Sequence, residues 1–310
     1  MDPGAEAWKL AGKSGALRSR ACMIRSLRQF FHERDYLEIE TPLRIPAPAP
    51  EEHIEAPPSG DWFLQTSPEL CMKRLVAAGF SRIFQISKCF REGERGDLHL
   101  PEFTLLEWYR QGADYRDLMA ECEDLILHVA GALEKSDPLL FRGRRISLRQ
   151  PWPRISVREA FARHAALSLP EALKADRFDE IMACEIEPCL GVDSPVFLFD
   201  YPVALGALAR AKKGDAALAE RFELYLGGLE LANAFSELTD EAEQRRRFEK
   251  ARQFRRAAGR RDYPLPEPFL NVLSSMPDTA GIALGVDRLA MLLTDAATID
   301  AVVAFTPEML

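Results

Sequence analysis

Apolar residues recur every third or fourth position through 17–34 (LRSRACMIRSLRQFFHER). Met23, Ile24, Leu27, Phe30 and Phe31 fall on one face, which predicts a helix. The next segment, YLEIETP (36–42), alternates as a short strand does and stops at Pro42. RIPAPAPEEHIEAPPSG has no period, and its prolines predict an irregular surface loop. Helical spacing returns over 68–79. Two strand-like runs follow, 81–91 (SRIFQISKCFR) and 101–110 (PEFTLLEWYR), separated by the polar turn EGERGDLH. Asp114 is placed to cap a helix running to about Glu134. From 141 to 215 short helices and strands mix without legible order, apart from a buried strand at 196–199 (VFLF). FELYLGGLELAN is two alternating runs about Gly227-Gly228, a hairpin signal. An arginine-rich helix is expected after Asp240, ending near Gly259, and GIALGVDRLAMLL reads as a strand entering a helix. Strands joined by short turns pair antiparallel, so the pattern predicts an α+β protein.

Polar residues interrupt this pattern in one informative place. GLELANAFSELTD (228–240) sets Glu230, Asn233 and Glu237 among apolar neighbours, where a carboxylate needs a cation or water. A two-residue turn at Gly227-Gly228 pairs Leu226 with Leu229 and Tyr225 with Glu230, leaving Glu223 diagonal to Glu230 on one face. Two such acids repel unless a cation lies between them, and an all-oxygen donor set suits Mg²⁺. Solvated glutamates on an open sheet face are the alternative. Glu230 and Glu237 have opposite strand parity, so one regular strand would send them to opposite faces. A bulge near Ala232–Asn233 is therefore predicted, and with it all three glutamates line one cleft. On the run 101–110, Phe103, Leu105, Glu107 and Tyr109 share a face that can stack a ring at one end and hold a cation at the other. Arg91 ends the preceding strand and suits a phosphate or carboxylate. Arg288 falls in the first turn of the helix opened by GVDRL.

Composition narrows the classes. The 310 residues are 47% apolar and 28% charged, enough for a sizeable core, and no apolar run approaches the roughly 18 residues that cross a bilayer. The first twenty residues carry no secretory pattern. A net charge of −8 argues against wrapping nucleic acid. The run 241–261 opposes that balance with Arg245, Arg246, Arg247, Lys250, Arg252, Arg255, Arg256, Arg260 and Arg261. It reads as a solvated helix face, with a docking surface for an acidic partner as the alternative. Cys22, Cys71, Cys89, Cys122, Cys184 and Cys189 form no metal-type spacing and read as reduced structural fillers of a cytoplasmic protein.

These pieces, in this order, resemble class II aminoacyl-tRNA synthetases. YLEIETP looks like motif 1, FREGERGDLHLPEFTLLEWY like motif 2 and GIALGVDRL like motif 3. TSPEL, PEFTLLEWY and RFELYLGGLELANAFSELTD bring the likeness closest to the lysyl group, from about residue 17 to 305. Motif 1 begins close to the start of the chain, so the expectation is one catalytic domain over 1–310 without an anticodon-binding domain. In that respect the chain is similar to the truncated lysyl-type paralogue that attaches (R)-β-lysine to a lysine of elongation factor P. The fold so implied is the class II catalytic core, a mostly antiparallel sheet flanked by helices.

The resemblance implies roles residue by residue. Arg91, Glu230 and Arg288 would be catalytic. Arg91 would bind the α-phosphate of ATP and the amino-acid carboxylate, and Arg288 the γ-phosphate. Phe103 would stack on adenine, and Glu92, Gly93, Glu94, His99, Leu231 and Gly285 would complete the nucleotide site. Glu223 and Glu230 would hold Mg²⁺. Ser67, Pro68 and Glu69 would frame the amino acid, with Glu107, Tyr109, Asn233 and Glu237 around its cationic side chain. Ala283 stands where the synthetases usually have Gly. Motif 2 departs from the family pattern, with Glu92-Gly93-Glu94 in place of Asn-Glu after the arginine and Leu100 in place of Asn; Glu94 is taken as the stand-in acid. The implied partners are elongation factor P and a small amino acid, with no tRNA and no membrane, in a homodimer built through motif 1. Lysine charging of a tRNA-like RNA and a non-catalytic regulatory role are the rival functions.

Overall fold

Residues 10–310 are described in the computed structural model. Residues 1–9, part of the stretch read above for a secretory signal, lie outside the described residues. In chain order, helix α1 (Ser14–His32) leads into the two-residue strand β1 (Leu37–Glu38). The proline-rich segment holds β2 (Arg44–Ile45), β3 (Pro58–Ser59) and β4 (Trp62–Leu64), and α2 (Glu69–Ala77) follows. The long pair β5 (Arg82–Phe90) and β6 (Glu102–Gln111) precedes α3 (Tyr115–Ala132). The middle of the chain contributes β7 (Leu139–Phe141), β8 (Arg144–Ile146), β9 (Arg154–Ser156), α4 (Val157–His164), α5 (Leu169–Lys174), α6 (Phe178–Ile181) and β10 (Val196–Pro202). Next come β11 (Ala211–Lys212), β12 (Asp215–Leu226), β13 (Leu229–Ser236), α7 (Glu241–Ala257), α8 (Glu267–Leu273), β14 (Thr279–Gly285) and α9 (Val286–Thr294).

The main sheet runs β1-β5-β6-β14-β13-β12-β10-β9, with β11 beside β12. Its outermost pairs, β1 with β5 and β9 with β10, are parallel, and every pair between them is antiparallel. The protein is α+β, as the pattern predicts. Gly227 and Gly228 both have positive φ (64° and 76°), the backbone a two-residue hairpin turn needs to match the twist of its strands. Leu226 pairs with Leu229 and Tyr225 with Glu230.

One face of the sheet is apolar and packs α1, α3 and α9. Met23, Leu27, Phe30 and Phe31 of α1 meet Leu118, Cys122 and Ile126 of α3 over Phe84, Trp108, Phe222 and Ile282. Asp114 caps α3 through a reciprocal box with Asp117. Asp287, in the first turn of α9, is the tie between three elements. It accepts from the Thr104 amide at 2.6 Å and pairs with Arg20 of α1 at 2.6 Å. The opposite face is left for α2, α7 and α8 at one side, through Met72, Val76, Phe248 and Leu270, and for a cavity at the other.

Three expectations are corrected here. The strand expected over 36–42 is only two residues long. The proline-rich segment is not a surface loop: it forms a small sheet (β2-β4-β3) and buries Ile45, Pro48, Pro50 and Ala56. Cys184 and Cys189 are exposed rather than core fillers, although none of the six cysteines is paired.

The arginine run is only in part a solvated face. Arg245 pairs with Glu267, Arg246 and Arg247 with Glu243, and Arg252 and Arg256 with Asp262. Arg255 is wholly buried. It donates to the carbonyls of Glu51 (2.7 Å), Ile54 (2.9 Å) and Arg261 (2.8 Å) and to the Glu55 carboxylate (2.7 Å), with its guanidinium over the Tyr263 ring. Arg247 donates to the carbonyls of Ala207 and Ala209. Helix α7 therefore fastens two irregular segments, 51–56 and 207–209, to the body of the protein. A planar fork with five donors can reach four acceptors at once, which a lysine cannot do. Replacing Arg255 with Leu leaves those acceptors unpaired. We expect a loss of about 3 kcal/mol in urea denaturation; a loss below about 1 kcal/mol would show that the segment is held by other contacts.

Candidate active site

A cavity of about 470 Å³ opens on the polar face of the sheet, and the central strand explains why it is there. Beside the cavity β14 presents only Gly281, Ala283 and Gly285 on that face, so the middle of the sheet is a trough between taller neighbours. On one side, β6 raises Phe103, Leu105, Glu107 and Tyr109, the four residues expected to share a face. On the other, β13 raises Glu230, Asn233 and Phe235. Register fixes the cross-strand neighbours: Glu107 pairs with Ala283, Ala283 with Asn233, and Asn233 with Glu223. Adjacent strands lie about 4.8 Å apart, so this row crosses the floor from one acid to the other.

The bulge is present. Tyr225 pairs with Glu230 and Leu224 with Ala232, which leaves Leu231 as the surplus residue, one position before the predicted place. It brings Glu230 onto the face shared by Asn233, Phe235 and Glu237.

One end of the cavity is rich in arginine. Arg288 donates to the Glu230 carbonyl at 2.8 Å and to His99 Nε2 at 2.7 Å, and its guanidinium is 3.7 Å from the Glu230 carboxylate. Accepting from Arg288 fixes His99 as the neutral Nδ1–H tautomer, and burial together with that arginine lowers its pKa. The Arg91 guanidinium lies 5.0 Å over the Phe103 ring and 3.8 Å from Glu94. Arg91 Nε is buried without an acceptor. Gly285 adds room: a methyl group there would meet no protein atom closer than 3.8 Å. The protein itself does not demand glycine at that position, whereas a ligand lying against the strand would.

The other end is acidic. Glu107 is 1% exposed and accepts from Ser67 Oγ at 2.6 Å and Tyr109 Oη at 3.0 Å. Burial, with the nearby Glu69 carboxylate, pushes it up to about 8. Lys73, which sequence reasoning missed, stands 2.5 Å from both Glu69 and Glu237. Those two carboxylates hold it charged against the cost of burial. Burial also pushes Glu237 up, and Lys73 opposes that. Three acids thus share one resident cation, and Glu107 is the acid that Lys73 does not touch. Gly281 is required here by packing, because the Tyr109 ring and Glu237 Oε1 fill the space of its missing side chain.

Not every expected residue is on the wall. Ser67, Glu69, Arg91, Glu94, His99, Phe103, Glu107, Tyr109, Glu223, Glu230, Leu231, Asn233, Gly285 and Arg288 line the cavity. Glu92 is exposed and accepts from Arg261, and Gly93 turns the loop with φ 81°, so neither lies on it. Pro68 serves as the cap residue of α2. Glu237 sits behind Gly281 with Lys73 as its partner. The Glu223 carboxylate is turned to Tyr201, Tyr225 and Arg221, at 2.6, 2.7 and 2.6 Å. Glu230 is the freer of the two expected metal ligands, and burial plus the charge of Glu223 raise it to about 7. Among the described residues no group of three metal-type side chains gathers. The all-oxygen pair fits a hard cation that takes its remaining ligands from water or phosphate. Arg221, Glu51, Ile54, Ala207 and Leu208 also line the cavity and were not foreseen. The last four come from irregular segments, where no periodicity signals them.

Comparison with known proteins agrees with this geometry. Residues 11–309 match the family of class II tRNA synthetases (D, K and N). Similar curated proteins include the elongation factor P–(R)-β-lysine ligases of Hamiltonella defensa, Edwardsiella ictaluri and Erwinia tasmaniensis. They are 38%, 37% and 37% identical over 97% of this chain and 98% of each relative.

If an adenine nucleotide lies against this strand, Gly285→Ala should fold with unaltered thermal stability yet bind it at least ~10-fold more weakly; equal nucleotide affinity by calorimetry would remove Gly285 from the site. Protonation gives a second test. Glu107 is largely protonated below about pH 8 and must ionise to bind a cation. A cationic ligand should therefore release close to one proton at pH 7 and none at pH 9.5, and its affinity should fall as pH drops through 8. By the same sign the unliganded fold loses stability as pH rises from about 4.5 to about 8. Calorimetry in buffers of different ionisation enthalpy counts the proton; no release at pH 7 would mean Glu107 is already charged.

Proposed function

Because the chain belongs to the class II tRNA synthetase family, we propose that it activates (R)-β-lysine as an adenylate and transfers it to a lysine of elongation factor P, acting in the cytoplasm as an ATP- and Mg²⁺-dependent ligase. The observation that carries this is a single cavity with Arg91 and Arg288 at one end and Glu69 and Glu107 at the other. That polarity complements a triphosphate joined to an amino acid with two ammonium groups. Relatives named for the same reaction, aligned over nearly their whole length, support it. No described helix is long and apolar enough to cross a membrane.

The chemistry asks little of protein nucleophiles. The amino-acid carboxylate attacks the α-phosphorus of ATP, and pyrophosphate leaves. Arg91, whose guanidinium lines the cavity over Phe103, is suited to draw the carboxylate and the α-phosphate together. Phe103 offers a face for the base, and Arg288, anchored on the Glu230 carbonyl and His99, offers charge to the outer phosphates. Glu230, backed by Glu223, would hold Mg²⁺, which neutralises phosphate charge when bound. Glu107 and Tyr109 would take the side-chain ammonium, and Glu69 the second amine. Ala283 puts a methyl group on the floor between Glu107 and Asn233, which favours an amino group one carbon further along the substrate. In the second step the ε-amine of the acceptor lysine attacks the acyl carbon and AMP leaves. The family implies a homodimer through motif 1; exposed Leu37 and Leu43 beside β1 suit such an interface.

The test is incubation with ATP, Mg²⁺, purified elongation factor P and either (R)-β-lysine or α-lysine, read by intact mass, with tRNA followed in parallel on acid-urea gels. The expected result is a covalent mass increase on the factor, larger with (R)-β-lysine, and no charged tRNA. Arg91→Ala should lower ATP–pyrophosphate exchange by ~10²-fold or more. Charged tRNA with an unmodified factor would overturn the reading, as would near-normal exchange in that variant.

A further inference from the structure

One carboxylate in the cavity has neither a task in the scheme above nor a partner among the described residues. Glu69 is held by Lys73, Glu107 by Ser67 and Tyr109, Glu223 by two tyrosines and an arginine. Glu230 and Glu94 stand within 4 Å of Arg288 and Arg91. Glu51 lines the same cavity, half-buried, and no described residue gives its carboxylate a hydrogen bond or an ion pair.

Its placement is enforced. Glu51 comes from the proline-rich segment, not from the sheet, and the buried Arg255 grips the Glu51 and Ile54 carbonyls on either side of the intervening turn. The charged groups that bear on it most are Arg91, Glu69, Arg221 and Glu94. Arg91 belongs to the end that would hold the reacting carboxylate, and Glu69 to the end that would hold the amino groups. Glu51 lines the same cavity as both groups, and in the proposed pose the acyl carbon of a bound adenylate would lie between them. Burial raises it to about 7, against the pull of Arg91. A carboxylate without a partner, facing the cavity from a backbone clamped by Arg255, is suited to general-base work.

We infer that Glu51 is the base for the transfer half-reaction, positioned by Arg255. This rests on the proposed function and deepens it. The neutral acceptor amine attacks the acyl carbon and a C–N bond forms. The nitrogen gives a proton to the Glu51 carboxylate. The C–O bond to phosphate breaks, and AMP departs with its electron pair. Charge balances: adenylate and carboxylate bring two negative charges, and AMP carries both away. Adenylate formation requires no such base, because the attacking carboxylate has no proton to lose.

The two half-reactions can be separated. Adenylate formed on the enzyme from ATP, Mg²⁺ and (R)-β-lysine is freed of excess reagents, then mixed with elongation factor P in a single turnover between pH 5.5 and 9. Wild-type transfer should rise with pH around 7, over and above the titration of the acceptor amine. E51Q should transfer ~10²-fold or more slowly, lose that inflection, and suffer a much smaller loss in ATP–pyrophosphate exchange. E51D should recover part of the rate together with the inflection. Transfer by E51Q within about threefold of wild type would overturn the inference, threefold being far below a general base's usual contribution. So would an equal loss in both half-reactions with a raised KM for the amino acid, which would mark Glu51 as an ammonium contact. A wild-type enzyme that forms no adenylate would instead refute the proposed function itself.

Discussion

A single surplus residue decides whether the site exists. Side chains on a strand alternate faces, so Glu230 and Asn233, three positions apart, can share a face only if the ladder slips once between them. It slips at Leu231. Without that slip Glu230 would point into the apolar layer between sheet and helices, and the Arg288 guanidinium would lose the carboxylate beside it. With it, Glu223, Glu230, Asn233 and Phe235 face one trough. The slip lies next to the tight turn at Gly227-Gly228, where the pairing register is already set and one extra residue bends the strand locally.

The trough then sets the electrostatics. A central strand that presents Gly281, Ala283 and Gly285 beside the cavity cannot fill its own middle, so carboxylates from flanking strands are gathered around that space. Such acids are costly to ionise, which is why Glu107 and Glu230 both titrate well above ordinary carboxylates. The fold offsets this only in part: Lys73 supplies one charge among Glu69, Glu237 and Glu107. The remaining deficit is a property of the free protein, and a cationic substrate would relieve it.

Sequence pattern revealed these parts unevenly, for physical reasons. Strong periods gave α1, α3, β5 and β6 to within three residues, and the turn of the β12–β13 hairpin though not the seven-residue start of β12, because each presents one apolar face to a common core. Parity alone exposed the bulge. What stayed hidden lies where no period operates. Glu51, Ile54, Ala207 and Leu208 reach the cavity from irregular backbone, and Lys73 looked like an ordinary polar residue of an amphipathic helix. Glu237 shows the limit from the other side: its face was foreseen, but not the ammonium already bound to it from α2. The middle third was illegible because its elements are three to eight residues long and pack partly on one another, around Phe161, Ile181 and Tyr201.

The arginine-rich helix α7 links the irregular segments to the cavity. Charge runs are usually solvated, and a protein of net charge −8 might be expected to hold its one basic stretch outward for an acidic partner. Here Arg255 and Arg247 reach inward to carbonyls of the two segments that reach the cavity without belonging to its sheet. Irregular backbone has no ladder to satisfy its carbonyls, so a segment brought over a site needs donors from elsewhere. A helix studded with guanidinium groups supplies several at once while Glu243, Glu267 and Asp262 absorb the surplus charge. The inward-reaching arginines of 241–261 are thus explained by the geometry of the cavity's roof.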